Sequence, residues 1–390
     1  MRIIIANKFY YNRGGDCVAS LALEKLLKEK GHDVAFFSMQ HPLNFPSEWT
    51  SFFPSNVDFQ ATGLNNKLRA ANRLFYSKEV KKKFLALIEE FKPDILHLNN
   101  IHSQLSPYIA KLAHEKGIKV IWTLHDYKLI CPNYTCLHNG NICETCIHQN
   151  ISHVLTSKCM KNSLPASLLA CLEALVWSRK RLNKNTDLFI APSYFLKEKM
   201  IEGGFPKEKL QVIHNFTNRD LSLRKSGKKD YYCYAGRLSK EKGIETLIRV
   251  AEGLPYKLIV KGTGPLKDHI KYNNNHIQFV GFKEWDELKT IIGQARFLVI
   301  PSEWYENNPI SVIEAHSLGT PVLGANIGGI PEIITPENGM LFESGNESDL
   351  KEKIQLMFNK DFNYNEISVV AQERYSADNY YNKIMELYEQ

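Results

Sequence analysis

Phe297-Leu298-Val299-Ile300-Pro301-Ser302-Glu303-Trp304-Tyr305-Glu306-Asn307-Asn308-Pro309-Ile310-Ser311-Val312-Ile313-Glu314-Ala315 reads as a buried strand, a polar loop and a helix opened by a proline. The strand ends at Ile300, and Pro309 has the fixed φ suited to a first helical position. The first amides of such a helix point back toward the loop and make an anion site. Glu314 falls five residues past Pro309, ~7.5 Å along the axis, among Ile310, Val312, Ile313 and Leu318. A carboxylate there needs hydrogen-bond donors, and ribose hydroxyls would be apt; Glu306, in the loop, is placed for the other end of the same ligand. The plainer alternative is a solvated loop glutamate and a second one on the polar stripe of an ordinary helix.

Outward from this unit the same alternation repeats. Strands are read at residues 2–6, 33–38, 94–98, 119–123 and 187–191, and again at 231–235, 257–261, 277–280, 297–300 and 321–324, with helical patterns between them. This is the signature of α/β folding with parallel sheets. A chain of 390 residues leaves room for two domains. The stretch 203–229, with Pro206, Asn215, Asn218 and Gly227, interrupts the periodicity. The expected architecture is therefore two Rossmann-like, doubly wound domains at 1–210 and 211–375 facing across a cleft, with a helix at 376–390 packing back on the first. Ligands of such sheets bind beyond the carboxyl ends of the strands.

Composition excludes several classes. Apolar residues make up 44% and charged residues 23%, which rules out a disordered or low-complexity chain. The longest apolar stretch, 164–177, is too short to span a bilayer and contains Glu173; it reads as a core helix, with a membrane-facing role for it and Arg179, Lys180 and Arg181 as the alternative. The apolar start Arg2-Ile3-Ile4-Ile5-Ala6 is too short for a secretory signal, so a cytoplasmic location is expected. The net charge of +7 is uneven: residues 1–210 hold 28 Lys/Arg against 18 Asp/Glu, whereas 211–390 hold 21 against 24. The segment 61–83, with Lys67, Arg69, Arg73, Lys78 and Lys81 to Lys83 interleaved with Leu64, Leu68, Leu74 and Phe75, suggests an anionic partner. That partner is a bilayer surface on one reading; on the other the segment is a solvated helix face.

Other loops after strands carry chemistry. In Gly236-Arg237-Leu238-Ser239-Lys240-Glu241-Lys242-Gly243, Arg237 and Lys242 can close on one diphosphate from two sides and neutralise the charge that grows as it leaves. Lys261-Gly262-Thr263-Gly264-Pro265 and Gly14-Gly15-Asp16 permit close backbone approach to a ligand, or are tight connections only. His125, in Trp122-Thr123-Leu124-His125-Asp126, follows a strand end and enters the expected cleft, whereas His97 reads as a histidine satisfied inside its strand.

These motifs in this order resemble a GT-B-fold, retaining, nucleotide-sugar-dependent glycosyltransferase of family 4, the glycosyltransferase group 1 proteins. The spacing of Glu306 and Glu314, followed by Gly319-Thr320-Pro321-Val322 and Gly328-Gly329-Ile330-Pro331-Glu332, carries the resemblance. It implies that Arg237 and Lys242 hold the donor diphosphate and Glu314 the ribose, while Glu306 with the amides after it, in the donor-binding stretch Asn307-Asn308-Pro309-Ile310, meets the sugar hydroxyls. Gly15 and Gly264 would line the donor, the backbone near Phe282 would meet the base, and His125 would lie near the anomeric centre. It implies catalysis without a metal or other cofactor, consistent with the lack of an Asp-x-Asp run, and front-face attack by a hydroxyl of a saccharide or lipid-linked saccharide in cell-surface polysaccharide synthesis. A nucleotide-sugar epimerase of the same fold is the alternative enzyme. A basic nucleic-acid-binding protein ranks far lower, because no such motif is present.

Two features depart from the family pattern. Where a His-x-His pair is common, this chain has His97 and Asn99, so His97 receives no catalytic role. The cluster Cys131, Cys136, Cys143, Cys146 and Cys159 is similar to a cysteine-rich insertion in a subgroup of these transferases. Cys131, Cys143, Cys146 and Cys159 could hold a structural zinc; free buried thiols, or ligands for an easily lost cluster, are the alternatives.

Overall fold

The computed structural model describes residues 1–57, 70–148, 150–222, 227–270, 272 and 274–390. The chain divides into two compact units, the first made of Met1–His138, Cys143–Ile213 and Tyr381–Gln390, the second of Asn139–Ile142 and His214–Tyr380.

In the first unit, six strands are parallel among the described residues: β1 (Arg2–Ala6), β2 (Asp33–Phe37), β3 (Ile95–Leu98), β4 (Lys119–Thr123), β5 (Leu188–Ala191) and β6 (Leu210–Val212), in the order β2-β1-β3-β4-β5-β6. Ile4 pairs with Ala35 on one side and Leu96 on the other. Ile3, Ile4 and Ile5 are all fully buried, as expected of strands covered by helices on both faces. β6 lies inside the stretch whose turn residues read as a linker; at three residues it is too short to show a period. The end of the last helix, Ala377–Glu389, belongs to this unit: Tyr388 Oη lies 2.7 Å from His97 Nδ1, and Lys119 Nζ donates to Leu387 O at 2.7 Å. His97 is fully buried, with Thr123 Oγ1 2.8 Å from Nε2.

The helix Leu164–Val176 departs from the core reading. Only one of its faces is covered: Ser167, Ala170, Cys171 and Glu173 are buried, whereas Leu164, Leu168, Leu172 and Leu175 are exposed. The low polarity of the segment hid this asymmetry, because leucine occupies both the covered and the open side. Of the basic segment 61–83, residues 61–69 lie outside the described residues. Arg73 and Leu74 are buried, and Arg73 Nη2 pairs with Glu79 at 2.7 Å. These two side chains are part of the fold and offer nothing to a surface partner.

In the second unit, again among the described residues, β7 (Tyr231–Ala235), β8 (Lys257–Lys261), β9 (Ile277–Gly281), β10 (Leu298–Ile300), β11 (Val322–Ala325) and β12 (Gly339–Phe342) form a parallel sheet ordered β9-β8-β7-β10-β11-β12. Phe297 and Val299 point into one helical layer with Tyr232 and Leu323, and Leu298 and Ile300 into the other with Cys233 and Val322. Alternate residues of a continuous apolar run thus fill two cores, the packing of a doubly wound sheet. The strand order reverses between β7 and β10, so the loops after these two strands diverge and leave a crevice at their carboxyl ends. No helix among the described residues is long and apolar enough to cross a membrane.

Candidate active site

The two loops at this reversal carry the strongest sequence motifs. After β7, the chain runs beside the loop that follows β8: Gly236 N donates to Lys261 O, and Leu238 N to Thr263 O. A Cβ on Gly262 would stand 1.8 Å from Gly236 O, and one on Gly264 2.3 Å from Leu238 O, so glycine is required for this contact. Gly264 is therefore placed structurally, as a spacer beneath the Arg237 loop. Arg237 is exposed and has no ion-pair partner among the described residues. Lys242 ends a short 3₁₀ turn, Lys240–Lys242, and Gly243 follows in the left-handed region at φ 66°. A Cβ there would meet Pro301 O at 1.7 Å, which locks the Lys242 loop against the one after β10.

That second loop presents Glu306. Its Oε1 accepts from Lys242 Nζ at 2.6 Å, Ser302 Oγ at 2.6 Å and Trp304 Nε1 at 2.9 Å. The carboxylate is buried, which pushes its pKa up, but the Lys242 charge and the three hydrogen bonds outweigh burial and hold it below the ordinary value. Lys242 also lies over the Trp304 ring, 4.9 Å from its centroid. From below, Gly329 N donates to Glu306 O at 2.7 Å, and Gly328, at φ 60°, passes so close that a Cβ would reach that oxygen at 2.4 Å. The Gly328-Gly329 motif thus serves as a floor for the Glu306 loop.

The helix Ile310–Ser317 starts one residue later than the proline reading placed it: Pro309 is its cap, and no side chain caps the first amides. Asn308 is tied down by Asn215, whose amide nitrogen donates to Asn308 Oδ1 and whose Nδ2 donates to Asn308 O, both at 2.8 Å. Asn308 Nδ2 is a buried donor left without an acceptor among the described residues. Uncapped amides together with that donor suit an incoming anion or hydroxyl. Glu314, one turn into the helix, is buried and its Oε1 accepts from Arg219 Nε at 2.7 Å. Burial raises its pKa to about 7, with Arg219 and Lys261 opposing. Lys261 Nζ in turn lies 5.1 Å from the Phe282 ring, which is 64% exposed.

His125 belongs to the first unit, just past β4. Its Nε2 lies 2.8 Å from Asn99 Oδ1, and burial, with Lys8 against it and Asp16 in its favour, brings its pKa down to about 4. Gly15 opens the helix Gly15–Glu29 behind Gly14, and nothing lies within 4 Å of where its Cβ would be. Asp16 in the first turn accepts from Asn100 Nδ2 at 3.1 Å, and Asn100 N donates to Asn7 Oδ1 at 3.1 Å. A polar network therefore lines the carboxyl ends of β1, β3 and β4.

Of the groups that sequence reasoning brings together, the structure joins Lys242 to Glu306, in the loop that leads into the helix at 310. Sequence reasoning missed Arg219, Ser302, Trp304, Asn215 and Asn99. Ser302 and Trp304 lay in the quoted motif and could have been found by asking what would satisfy a buried Glu306. Arg219 and Asn215 stand about ninety residues from their partners and give no local signal.

In the cysteine segment, Cys146 and Cys171 share a buried cluster with Val154, and Cys159 packs against it. All eight cysteines are free, and no group of three His, Cys, Asp or Glu side chains among the described residues is placed to hold a metal ion. Cys131 hydrogen-bonds Cys136, Cys143 Sγ lies 3.5 Å from His153 Nε2, and Cys159 Sγ lies 3.7 Å from His138 Nδ1.

The model of the family described as Glycosyltransferase Family 4 matches residues 18–221, more than half of the chain, and that of Glycosyl transferases group 1 matches residues 216–374. The chain belongs to glycosyltransferase family 4. This transferase is 28% identical over 353 residues to an uncharacterised 42.6 kDa protein in the cps region of Klebsiella pneumoniae, covering 85% of this chain and 87% of that one. It is 22% identical to the N-acetyl-alpha-D-glucosaminyl L-malate synthase of Bacillus anthracis, over 94% and 90% of the two chains. Among solved structures, the Anabaena Alr3699/HepE protein in complex with UDP and glucose matches 99% of both chains with a TM-score of 0.70 at 17% identity. The sucrose-phosphate synthase of Thermosynechococcus elongatus matches with a TM-score of 0.68 at 18% identity, over 100% of this chain and 98% of that one. The two-domain, Rossmann-like GT-B fold of the transferase follows from these likenesses and its two parallel sheets.

Proposed function

We propose that this glycosyltransferase moves a sugar from a UDP- or GDP-sugar to a hydroxyl of a saccharide or lipid-linked saccharide, with retention at the anomeric carbon and without a catalytic metal. The observation that supports the reading is the contact of Lys242 with Glu306, in the loop that leads into the uncapped amino end of the helix at 310; Arg237 stands exposed in the same loop as Lys242. Two cations and a helix amino end supply the charge stabilisation that a departing nucleoside diphosphate needs. The crystal structure of the Anabaena neighbour in complex with UDP and glucose supports a nucleotide-sugar donor, and the Bacillus relative, an N-acetyl-alpha-D-glucosaminyl L-malate synthase, supports a sugar as the group moved. The relative from the Klebsiella cps region supports a role in cell-surface polysaccharide synthesis.

On this reading Glu314 takes the ribose hydroxyls, Phe282 lies by the base, and Glu306 acts first by holding Lys242 toward the diphosphate. The acceptor hydroxyl attacks from the face that the diphosphate leaves, and the departing phosphate oxygen takes the hydroxyl proton, so that charge and protons balance without a side-chain nucleophile. His125, neutral at physiological pH, is the first unit's candidate for contact with the reacting sugar. A thermal-shift screen of nucleotide-sugars followed by transfer to saccharide acceptors tests the proposal. One donor should raise the melting temperature, and Lys242→Ala should abolish both that rise and transfer. Consumption of the donor to an isomeric nucleotide-sugar in the absence of any acceptor would replace transfer by epimerisation.

A further inference from the structure

The helix Leu164–Val176 carries an unpartnered apolar stripe. Leu164, Leu168, Leu172 and Leu175 are 52, 45, 40 and 57% exposed. At 100° per residue they fall within an arc of about 80°, on the side away from the buried Ala170 and Glu173 and with buried Cys171 at its edge. Such a contiguous run of half-exposed leucines on a single face is unlike the scattered apolar residues of an ordinary surface.

The charges around the stripe say what it faces. Between residues 158 and 184 the acidic group is Glu173, which is buried, accepts from Ser103 N and pairs with Lys128 Nζ at 2.9 Å. Lys158 and Lys161 before the helix, and Lys180, Arg181 and Lys184 after it, are all exposed. Arg179 is spent inside the fold, donating to the carbonyl oxygens of Ile130, Cys146, Ile147 and Gly203. The leucine face is thus bracketed at both ends by cations, and no exposed carboxylate on the segment opposes them.

We propose that this helix docks the transferase on an anionic lipid surface, lying in the interface plane with its leucines in the acyl boundary and the five cations at the headgroups. A helix of 13 residues is long enough to lie in the interface and far too short to cross the bilayer. Long basic side chains at both ends reach the headgroup level while the leucines stay below it. This places the lipid contact on residues 158–184. The inference does not depend on which sugar is transferred.

The test is co-sedimentation of the full chain with vesicles of phosphatidylcholine alone or mixed equally with phosphatidylglycerol. The chain should pellet with the anionic vesicles only, and less as salt rises from about 50 to about 500 mM, since the Debye length shrinks several-fold over that range. Leu168→Ser with Leu175→Ser should lower the partition coefficient by at least about tenfold with the melting temperature unchanged. Lys180→Ser with Lys184→Ser should lower it about fivefold per charge, the factor that roughly 1 kcal/mol per basic residue gives. Should the leucine pair fail to fold, the lysine pair and the salt series decide. A wild-type chain that stays in the supernatant with anionic vesicles, or a leucine pair that binds as before, overturns the proposal. So does a wild-type dimer in light scattering that the leucine pair converts to monomer, because the stripe would then belong to a second copy of the chain.

Discussion

Lys242 Nζ lies 2.6 Å from Glu306 Oε1, the amine 26% exposed and the carboxylate, at 10%, nearly closed off from solvent. The pair is thus asymmetric: the buried partner holds the one that can reach a ligand. Removing the lysine leaves a buried carboxylate with two neutral donors, so Lys242→Ala should cost about 3 kcal/mol of stability as well as donor binding. Glu306→Gln should keep the fold and lower turnover, because the lysine is then free to swing. Since the folded pKa of Glu306 lies below its ordinary value, its contribution is present at neutral pH and fades as pH falls through and below about 4.5. Acid melting curves of the wild type and Glu306→Gln should therefore converge at low pH; a constant gap down to pH ~3 would remove the argument.

Glu314 carries the opposite sign. Its folded pKa of about 7 lies above the unfolded 4.5, so the protonated form is favoured by folding. Its contribution is complete below pH ~4.5 and is lost as pH rises to about 7, a swing on the order of 3 kcal/mol at most. Melting temperatures of Glu314→Gln should show a smaller decline than the wild type between pH ~5 and ~7.5. Ribose hydroxyls would bond the ionised form, so nucleotide affinity of the wild type should rise over the same interval, and that rise should vanish in the variant. Titration calorimetry at two pH values checks it.

The contrast between these two glutamates shows what was legible in the sequence. Strand positions were readable because Tyr231–Ala235 and Lys257–Lys261 are continuous apolar-rich runs bounded by turn residues. β12, Gly339-Met340-Leu341-Phe342, was missed, since a four-residue strand that opens on a glycine carries no period. At the site, Glu306 and Glu314 stood out by spacing, yet their opposite titration depends on partners that spacing cannot supply. Glu306 meets a lysine from the loop after β7; Glu314 meets Arg219, on a stretch read as linker. The leucine helix failed for a related reason, because an apolar segment does not say which of its faces the rest of the chain covers.

Arg237 is exposed and without an ion-pair partner among the described residues, so its removal costs the fold little. Arg237→Ala should shift the melting temperature by less than about 2 °C, while transfer falls by about 10² to 10³, the usual loss of one charge-stabilising donor. Lys in its place should restore only part, because a point charge lacks the two-pronged match to a diphosphate. Steady-state kinetics beside calorimetry separates the two effects; a large loss of stability would assign Arg237 to the fold.

Gly243 links the two loops of the site. At φ 66°, with Pro301 O 1.7 Å from the place of a Cβ, Gly243→Ala must push the Lys242 loop away from the loop after β10. The backbone conformation alone costs about 1 kcal/mol for alanine, and the clash adds more. The variant should lose nucleotide binding together with stability, whereas Gly15→Ala, where nothing lies within 4 Å, should leave the melting temperature unchanged. Circular-dichroism melts of the two variants side by side make the comparison.

His125 is held neutral, with a pKa of about 4, by burial and by Lys8, and its Nε2 is tied to Asn99 Oδ1 at 2.8 Å. Because the folded pKa lies below the ordinary 6.5, the stability it brings is present above pH ~6.5 and lost as pH falls toward 4. Turnover should therefore show no limb from this imidazole between pH ~5.5 and ~8. Asn99→Asp puts a negative charge where a neutral oxygen now accepts, which favours the imidazolium and moves the titration upward. A new limb should then appear between pH ~5.5 and ~8 in kcat, with the histidine charged on its acid side, and His125→Gln in the same background should abolish it. If Asn99→Asp leaves the profile flat while the protein remains folded, His125 takes no part in the rate-limiting step.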